Sequence, residues 1–240
     1  MRKWKLRPAD DFGLSFRERL FSQRRETGLI GAVSRWLLWL IARAYLRLYH
    51  RIRFDGREHL PASAPAILVA NHTSHLDAPA LAAALPLGWC DRTFALAAGD
   101  TFFTSLGAAA AITALLNALP IWRKKTRHKQ LAALRERLSE RHCVYILFPE
   151  GSRSRDGALA KFKSGIGPIV AGTEVPIVPC HIDGAFAAFP PQRKWPLPRR
   201  LTVRLGPPLT FPDTANDMQG WDAIAAALET AVRKLASNRS

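Results

Sequence analysis

A histidine and an aspartate five residues apart form the pair best suited to chemistry in this sequence. His72 and Asp77 lie in the segment Asn71–Asp77, which directly follows the apolar run Ala66–Ala70. An imidazole titrates near neutral pH, so His72 could accept a proton from an alcohol. Asp77 could accept a hydrogen bond from the other ring nitrogen, fixing the tautomer and stabilising the imidazolium. Because residues five apart point about 140° away from each other on a continuous helix, we expect His72 in a turn and Asp77 at a helix start.

Two other roles stay open for this segment. Asp77 just before Ala78 and Pro79 suits a helix start, because proline is tolerated in a first helical turn. Asp77 could therefore serve only as a helix cap, and Ser74 could also be one. His72 and His75 also form an H-x-x-H pair, which could bind a metal ion. Because the H-E-x-x-H sequence and nearby cysteines are missing, we expect no metal site, and we expect His75 to hydrogen-bond a local backbone group.

A second polar loop, Phe148–Gly157, follows the apolar run Cys143–Phe148. It holds two glycines, two serines and two arginines. Arginine offers bidentate donors, and glycine lets backbone N–H groups approach an anion, so the loop suits an oxyanion or a phosphate. Lys161 and Lys163 follow it and add two cations. An ordinary basic surface loop is the alternative, although a carboxylate at Glu150 among so many cations favours an organised polar site.

Strand-like and helix-like segments alternate from about residue 61 onward, which predicts an α/β fold with a central sheet covered by helices. Strands are predicted at Ala66–Ala70, Thr93–Ala97, Cys143–Phe148 and Val175–Cys180, and helices at Ala78–Leu85, Arg127–Arg141 and Trp221–Ala236. A proline-rich stretch, Pro190–Pro198, is predicted to be a loop. If the strands before the two polar loops are parallel, both loops open at the carboxyl edge of the sheet, where α/β folds bind ligands.

The first 60 residues are strongly basic, with 14 Lys and Arg against 6 Asp and Glu. Within them Gly28–His50 has a helical pattern that places Arg43, Arg47 and Arg51 on one face, beside apolar positions such as Trp36. An amphipathic helix with arginines and tryptophans is typical of a segment lying among lipid headgroups. A helix packed on the domain core is the alternative. We divide the chain into a membrane-association segment, residues 1–60, and a second domain, residues 61–240.

Residues 101–122 carry no formal charge over 22 positions. Only eight of them are Leu, Ile or Phe, the residues that favour insertion into a bilayer. We therefore expect a helix that packs on the domain or dips into the membrane interface and does not cross the membrane.

The net charge and the cysteine content of the sequence indicate which partners and which cellular compartment to expect. The net charge of +16 would attract an anionic bilayer or nucleic acid. No nucleic-acid-binding module is recognisable, so we expect a membrane surface and no nucleic acid. The three cysteines Cys90, Cys143 and Cys180 are widely spaced and form no C-x-x-C, which favours a reducing compartment. The N-terminus shows no secretory signal pattern.

Five sequence blocks, in this order over roughly residues 61–209, together resemble the 1-acylglycerol-3-phosphate O-acyltransferase family of lysophospholipid acyltransferases. They are Asn71–Asp77 (N-H-x4-D), Ile121–Arg123 (I-x-R), Phe148–Ser154 (F-P-E-G-S-R-S), Phe162–Gly165 (F-K-x-G) and Val175–Pro179 (V-P-I-V-P). Each block alone is weak evidence for the family, but all five in this order are a specific indication of it.

The resemblance implies a glycerol-3-phosphate acyltransferase-like fold, with a central mixed sheet covered by helices and an N-terminal amphipathic segment on the membrane. It implies transfer of a fatty acyl group from acyl-CoA or acyl carrier protein to the free hydroxyl of a lysophospholipid. The implied acceptor is 1-acyl-sn-glycerol-3-phosphate, which would give phosphatidic acid. The implied location is the cytoplasmic face of the inner membrane, with peripheral or monotopic attachment, and the implied reaction needs no cofactor or metal.

The resemblance also implies roles for individual residues. His72 would deprotonate the acceptor hydroxyl, and Asp77 would orient His72. The glycerol phosphate portion of the acceptor would be bound by Arg123, Glu150, Gly151, Ser152, Arg153 and Lys163.

The middle block departs from the family pattern, because Asn117 and Pro120 stand where the family has a glycine and an aromatic residue. Another lysolipid, such as lyso-ornithine lipid, is therefore an alternative acceptor. Two other classes stay open: a basic non-enzymatic membrane- or nucleic-acid-binding protein, and a thioesterase that uses the same pair on water. No G-x-S-x-G serine motif is present to support a hydrolase.

Overall fold

The order of helices and strands comes from a computed structural model, which describes residues 9, 11–23, 25–26, 29–122 and 127–237. Its helices are α1 (Phe16–Phe21), α2 (Leu29–Leu48), α3 (Asp77–Ala84), α4 (Gly99–Phe102), α5 (Leu106–Leu116), α6 (Arg127–Glu140), α7 (Gly167–Val170), α8 (Ala185–Ala188) and α9 (Met218–Ser237). Its strands are β1 (Arg53–Asp55), β2 (Ala66–Ala70), β3 (Thr93–Ala98), β4 (Leu119–Ile121), β5 (Val144–Leu147), β6 (Thr173–Asp183), β7 (Thr202–Leu205) and β8 (Leu209–Phe211).

These strands form a single mixed sheet in the order β1-β7-β6-β2-β5-β3-β4, with β8 paired to β6. The neighbours from β6 to β4 along this order are parallel. Strands β7 and β8 run antiparallel to β6, and β1 runs parallel to β7. The predicted central mixed sheet covered by helices is therefore confirmed.

Strand β2 occupies the middle of the sheet because every residue of its AILVA sequence is apolar and can be buried on either face. Successive side chains alternate between the two faces. Ile67 and Val69 join the apolar cluster that includes Leu134 of α6 and Leu228 of α9. Leu68 packs on the opposite face, within the cluster formed with α2 and α3. The sheet is thus the middle layer of three, with helices on both sides.

The segment without formal charges, residues 101–122, does not form one helix. It ends α4, continues as α5 and then forms β4, which pairs with β3 through Leu119, Pro120 and Ile121. Asn117 separates the helix from the strand and has a left-handed φ of 50°, a conformation that asparagine adopts more readily than most residues. Within the described ranges, no helix combines the length and the apolar character that crossing a bilayer requires.

Helix α2 packs on the domain through its arginines and exposes much of its apolar surface. Arg35 is buried and contacts Asp91 at 3.0 Å. Arg43, which we predicted to face lipid headgroups, instead donates to the carbonyl of Leu85 at the C-terminal end of α3. Basic side chains are favoured there, because the last carbonyls of a helix lack partners within it. Among the described side chains of α2, the large apolar ones that are exposed are Val33, Trp36, Leu37, Leu40, Ile41, Tyr45 and Leu48.

The chain between α2 and β2 belongs to the body of the domain. Strand β1 pairs with β7 at one edge of the sheet. Arg57 donates at 2.6 Å to the carbonyl of Ala84, so a second arginine binds the C-terminal end of α3. A division of the chain at residue 60 stays a prediction, and residues on both sides of that position contribute to the same sheet.

Candidate active site

The first polar loop begins where β2 ends, at the carboxyl edge of the sheet. Asn71 is buried and bonds both backbone groups of Ile182 in β6: its Oδ1 accepts from the N–H at 2.7 Å, and its Nδ2 donates to the carbonyl at 3.0 Å. This two-point attachment fixes the chain direction directly before His72. The asparagine of the N-H-x4-D pattern therefore anchors the loop to the sheet.

His72 and Asp77 meet in the geometry that the spacing requires. Nδ1 of His72 lies 2.9 Å from Oδ2 of Asp77, with His72 in the loop and Asp77 as the first residue of α3. The hydrogen bond places the proton of a neutral His72 on Nδ1 and leaves Nε2 as the basic nitrogen. The side chain of His72 is 16% exposed, whereas that of Asp77 is completely buried. The pair therefore joins a partly accessible imidazole to a buried carboxylate that can orient it.

Asp77 also holds the loop that carries His72. Its Oδ2 accepts hydrogen bonds from the backbone N–H groups of Thr73 at 2.6 Å and Ser74 at 2.7 Å. These donors stabilise the ionised carboxylate in a buried position. The alternative of a helix cap describes part of what Asp77 does, because the same oxygen binds both the backbone and the imidazole.

The ring of His72 stacks on Phe148, with ring centroids 4.1 Å apart and an angle of 15° between the ring planes. Phe148 directly follows β5, which is parallel to β2 and adjacent to it. The stacking restricts rotation of the imidazole about its side-chain bonds. Asp77 and Phe148 together therefore fix the direction in which Nε2 points.

Glu150 connects the two polar loops. Its Oε1 accepts from the N–H of His72 at 2.7 Å, and its Oε2 accepts from the N–H of Ala160 at 3.1 Å. Burial raises the pKa of the Glu150 carboxyl above its ordinary value, and the two backbone hydrogen bonds partly oppose that shift. Both carboxylate oxygens are thus used within the protein, and the arrangement favours a positioning role over direct contact with an anionic substrate.

Gly151 and Lys163 lie side by side next to Glu150. Gly151 has a left-handed φ of 76°, and a Cβ atom at this position would lie 2.9 Å from Nζ of Lys163. The N–H of Lys163 donates to the carbonyl of Pro149 at 2.9 Å, which brings the lysine back to the loop. Glycine therefore provides both the turn and the space for the ammonium group.

Arg153 reaches the first loop through a contact between its guanidinium and Nε2 of His75. Burial lowers the pKa of Arg153, with a smaller opposing effect from Asp77. Burial also lowers the pKa of His75, and the positive charges of Arg153 and His72 add to that shift. These effects favour the neutral form of His75 beside the arginine. The hydrogen bond from His75 to a local backbone group that the sequence suggested stays a prediction.

The structure brings most of the predicted site residues together. His72 and Asp77 form one pair, and Glu150, Gly151, Arg153 and Lys163 lie around it. Ser152 lies in the same loop and is exposed, while Arg123 falls outside the described residues. Among the residues that the structure describes, no three His, Cys, Asp or Glu side chains are grouped as metal ligands.

Two contacts of the site were not expected from the sequence. The hydroxyl of Ser74 donates at 2.7 Å to the carbonyl of Phe189, and the ring of His75 lies 5.5 Å from the Phe189 ring. Phe189 comes from the segment after α8, more than a hundred residues further along the chain. The only sequence feature that could have indicated these contacts is the position of Phe189 directly before the proline-rich loop. Nothing local in the sequence places that loop beside His75.

A model of the family described as Acyltransferase matches residues 51–183, more than half of the chain. This chain belongs to that family. The matched range begins just before β1, ends with β6 and includes both polar loops. The family resemblance predicted from the ordered motifs is thus confirmed.

Similar proteins carry consistent names. The chain is 26% identical over 194 residues to mouse 1-acyl-sn-glycerol-3-phosphate acyltransferase alpha, covering 78% of this chain and 66% of that protein. It is 32% identical over 145 residues to 1-acyl-sn-glycerol-3-phosphate acyltransferase LPAT1, chloroplastic, from Arabidopsis thaliana, covering 59% of this chain and 38% of that protein. The chain thus matches less than two thirds of the length of these relatives.

The fold also matches a solved structure. The crystal structure of the 1-acyl-sn-glycerophosphate acyltransferase PlsC from Thermotoga maritima superposes with a TM-score of 0.60 at 22% identity. The match covers 87% of this chain and 81% of that one. At this identity the likeness establishes the common fold.

Proposed function

We propose that this protein transfers a fatty acyl group from a thioester to the free hydroxyl of a lysophospholipid, with 1-acyl-sn-glycerol-3-phosphate as the acceptor and phosphatidic acid as the product. The observation that carries this proposal is the 2.9 Å contact between Nδ1 of His72 and Oδ2 of Asp77 at the carboxyl edge of the sheet. The names of its relatives support the choice of acceptor.

The proposed reaction is a direct transfer with His72 as general base. Nε2 takes the proton of the acceptor hydroxyl as its oxygen attacks the thioester carbonyl carbon, and the negative charge moves to the carbonyl oxygen. The buried carboxylate of Asp77 stabilises the imidazolium that forms. The tetrahedral intermediate then collapses, the carbon–sulfur bond breaks, and the imidazolium returns its proton to the departing sulfur. Acyl-CoA and acyl-acyl carrier protein are both suitable donors for this step.

We assign recognition of the acceptor phosphate to the cations of the second loop. Arg153 beside His75 and Lys163 beside Gly151 lie around the proposed base. Guanidinium and ammonium groups bind phosphate oxygens, and a partly buried guanidinium does so with less competition from water. Arg123 and Ser152 keep their predicted substrate-binding roles as part of this proposal. Glu150 acts on the substrate only indirectly, by holding His72 and the second loop.

We further propose that α2 attaches the protein to the cytoplasmic face of the inner membrane. The exposed Leu, Ile, Trp and Val side chains of α2 form an apolar surface that a bilayer interface would cover. The net charge of +16 favours anionic lipids. The three cysteines are free and buried, which suits a reducing compartment.

The decisive experiment compares the wild-type protein with His72→Asn, using 1-acyl-sn-glycerol-3-phosphate and an acyl-CoA and identifying the product by mass spectrometry. Asparagine can still donate to Asp77 but cannot act as the base. We expect turnover to fall by about 10²–10⁴-fold while circular dichroism stays unchanged. The matched control is His142→Asn, because His142 is exposed and its left-handed φ of 46° suits asparagine.

Normal turnover in a folded His72→Asn variant would exclude His72 as the base. Release of free fatty acid by the wild-type protein, with or without the acceptor, would indicate a hydrolase. Acylation of lyso-ornithine lipid in preference to the phosphate acceptor would change the substrate and keep the mechanism.

A further inference from the structure

The loop after α8 carries a concentrated positive charge that the proposed reaction does not use. We call residues 192–200 the basic loop; it contains Arg193, Lys194, Arg199 and Arg200. All four are exposed. The sequence has no Asp or Glu between Asp183 and Asp213, so no neighbour along the chain neutralises this charge.

The basic loop also exposes a large aromatic residue. Trp195 is 79% exposed, although an indole ring usually gains from burial in a folded protein. It stands directly after Arg193 and Lys194. A tryptophan directly after two cations is a combination that the interface of an anionic bilayer accommodates, because the ring sits at headgroup level while the cations meet phosphates.

The basic loop is attached to the C-terminal end of α2. The hydroxyl of Tyr49 donates to the carbonyl of Pro196 at 3.1 Å, and Nδ1 of the buried His50 lies 3.2 Å from the carbonyl of Arg199. Leu48, next to these contacts, is 80% exposed. The loop therefore extends the apolar face of α2 into a single surface.

The other end of the same segment reaches the candidate active site. The carbonyl of Phe189 accepts from the hydroxyl of Ser74, three residues before Asp77. The side chain of Gln192 donates at 3.4 Å to the carbonyl of Arg155 in the second polar loop. Residues 189–200 thus connect the C-terminal end of α2 to both polar loops.

We propose that the basic loop is a second membrane-binding element, in which Trp195 inserts among the headgroups of an anionic phospholipid bilayer and the four cations bind lipid phosphates. Together with α2 it gives two neighbouring attachment points, joined by the contacts of Tyr49 and His50 with the basic loop. As a consequence, an acceptor embedded in the membrane would be delivered to the candidate active site, and this part rests on the proposed function. Binding of the basic loop to the bilayer does not depend on it.

The surface favours a bilayer over an acidic protein such as an acyl carrier protein. An acidic partner would neutralise the cations of the basic loop but would leave the exposed apolar face of α2, which begins beside the loop at Leu48, in water. A bilayer interface covers both at once.

The test measures co-sedimentation with phosphatidylcholine vesicles with and without phosphatidylglycerol, in the absence of substrates. The variants are Trp195→Ala and the double variant Arg193→Ala/Lys194→Ala. The matched control is Lys129→Ala/Lys234→Ala, which removes the same charge from exposed positions on α6 and α9, the helices on the other side of the sheet. We expect the loop double variant to bind the anionic vesicles about tenfold more weakly, and the control to bind like wild type.

A second measurement locates Trp195 directly. Fluorescence quenching by brominated lipids should be weaker in Trp195→Phe than in wild type, because one inserted indole has been removed. Equal quenching, or loop variants that bind anionic vesicles as tightly as wild type, would overturn the proposal. So would loop variants that keep vesicle binding and lose activity only with an acyl-acyl carrier protein donor, because the loop would then bind the protein partner.

Activity assays separate this proposal from the proposed function. With a short-chain, monomeric lysophosphatidate and no vesicles, the loop variants should turn over at the wild-type rate. With the acceptor embedded in vesicles, they should be slower. If the wild-type protein transfers no acyl group at all, the proposed function fails, and the sedimentation and quenching results still decide the binding of the loop.

Discussion

The backbone N–H of His72 donates a 2.7 Å hydrogen bond to Oε1 of Glu150, which lies 78 residues later in the chain. This contact joins the loop of the proposed base to the loop of the proposed phosphate site. It forms because β2 and β5 are adjacent and parallel, so that both loops leave the sheet at the same edge. Glu150 thereby makes the position of each loop depend on the other.

Replacing Glu150 by glutamine tests this coupling. Glutamine has one acceptor oxygen, so its NH₂ group would face one of the two N–H donors from His72 and Ala160. We expect the free energy of unfolding in urea to fall by about 1–3 kcal/mol. The control is Glu140→Gln at an exposed position of α6. A Glu150→Gln variant as stable as that control would show that the contact contributes little.

Asp77→Asn should impair catalysis more than folding. The amide oxygen can still accept from Thr73 and Ser74, but the negative charge that stabilises the imidazolium is lost. We expect kcat to fall by about 10²-fold or more, with a retained circular dichroism spectrum. Asp222→Asn, on the exposed side of α9, serves as the control. Unchanged kcat would reduce Asp77 to a helix cap.

Arg153→Ala should act on the acceptor. Loss of a charge-assisted contact to phosphate weakens binding by about ten- to a hundredfold, so the apparent KM for a phosphate-bearing acceptor should rise by that factor with a smaller change in kcat. The control is Arg92→Ala, which also removes one positive charge. Arg92 is exposed and lies directly before β3, at the opposite edge of the sheet. An unchanged KM would mean that the headgroup is held by other residues.

Gly151→Ala should strain the second loop. An alanine in the left-handed conformation costs about 1–2 kcal/mol, and its methyl group would displace the ammonium of Lys163. We therefore expect a lower free energy of unfolding together with a higher KM for the acceptor. Gly165→Ala is the control, because a Cβ atom there meets no atom within 4 Å. Equal behaviour of the two variants would contradict the strain argument.

The stability of the protein should depend on pH through His75. Burial lowers the pKa of His75 in the folded state, with Arg153 and His72 adding to the shift. A histidine with a lowered folded pKa stabilises the fold above its unfolded pKa of about 6.5, and this contribution is lost as the pH falls below that value.

The comparison for His75 is between wild type and His75→Gln, by urea denaturation from about pH 7 down to about pH 5. The advantage of wild type should shrink toward low pH. Taking the difference removes the parallel effect of His50, whose pKa burial also lowers. A difference that stays constant over this range would show that His75 does not contribute.

Much of the sheet and the central pair could be predicted because their signals are local. The continuous apolar sequences of β2 and β5 are characteristic of strands buried on both faces, and a spacing of five residues limits how His72 can meet Asp77. The link between Glu150 and His72 was beyond local patterns, because it depends on the order and direction of strands far apart in the chain.

Two other features were decided by tertiary contacts. From the sequence, Arg43 could face lipid headgroups or the domain. It faces the domain because the carbonyls at the C-terminal end of α3 lack partners within their own helix. Residues 101–122 have a composition that suits one helix, yet β3 provides an open edge with which Leu119–Ile121 pairs. In both cases the deciding partner lies elsewhere in the sequence.

The inward-facing arginines of α2 bear on how a soluble form of the protein could be engineered. Truncation before β1 would remove Arg43. The carbonyls at the C-terminal end of α3, the helix that begins with Asp77, would then lose a hydrogen-bond donor. If α2 is the membrane attachment proposed above, the shortened protein would lose its contact with lipid, but it would also lose support for the helix that carries Asp77. Polar replacements on the outer surface of α2, for example at Leu37 and Ile41, would raise solubility and leave that support in place.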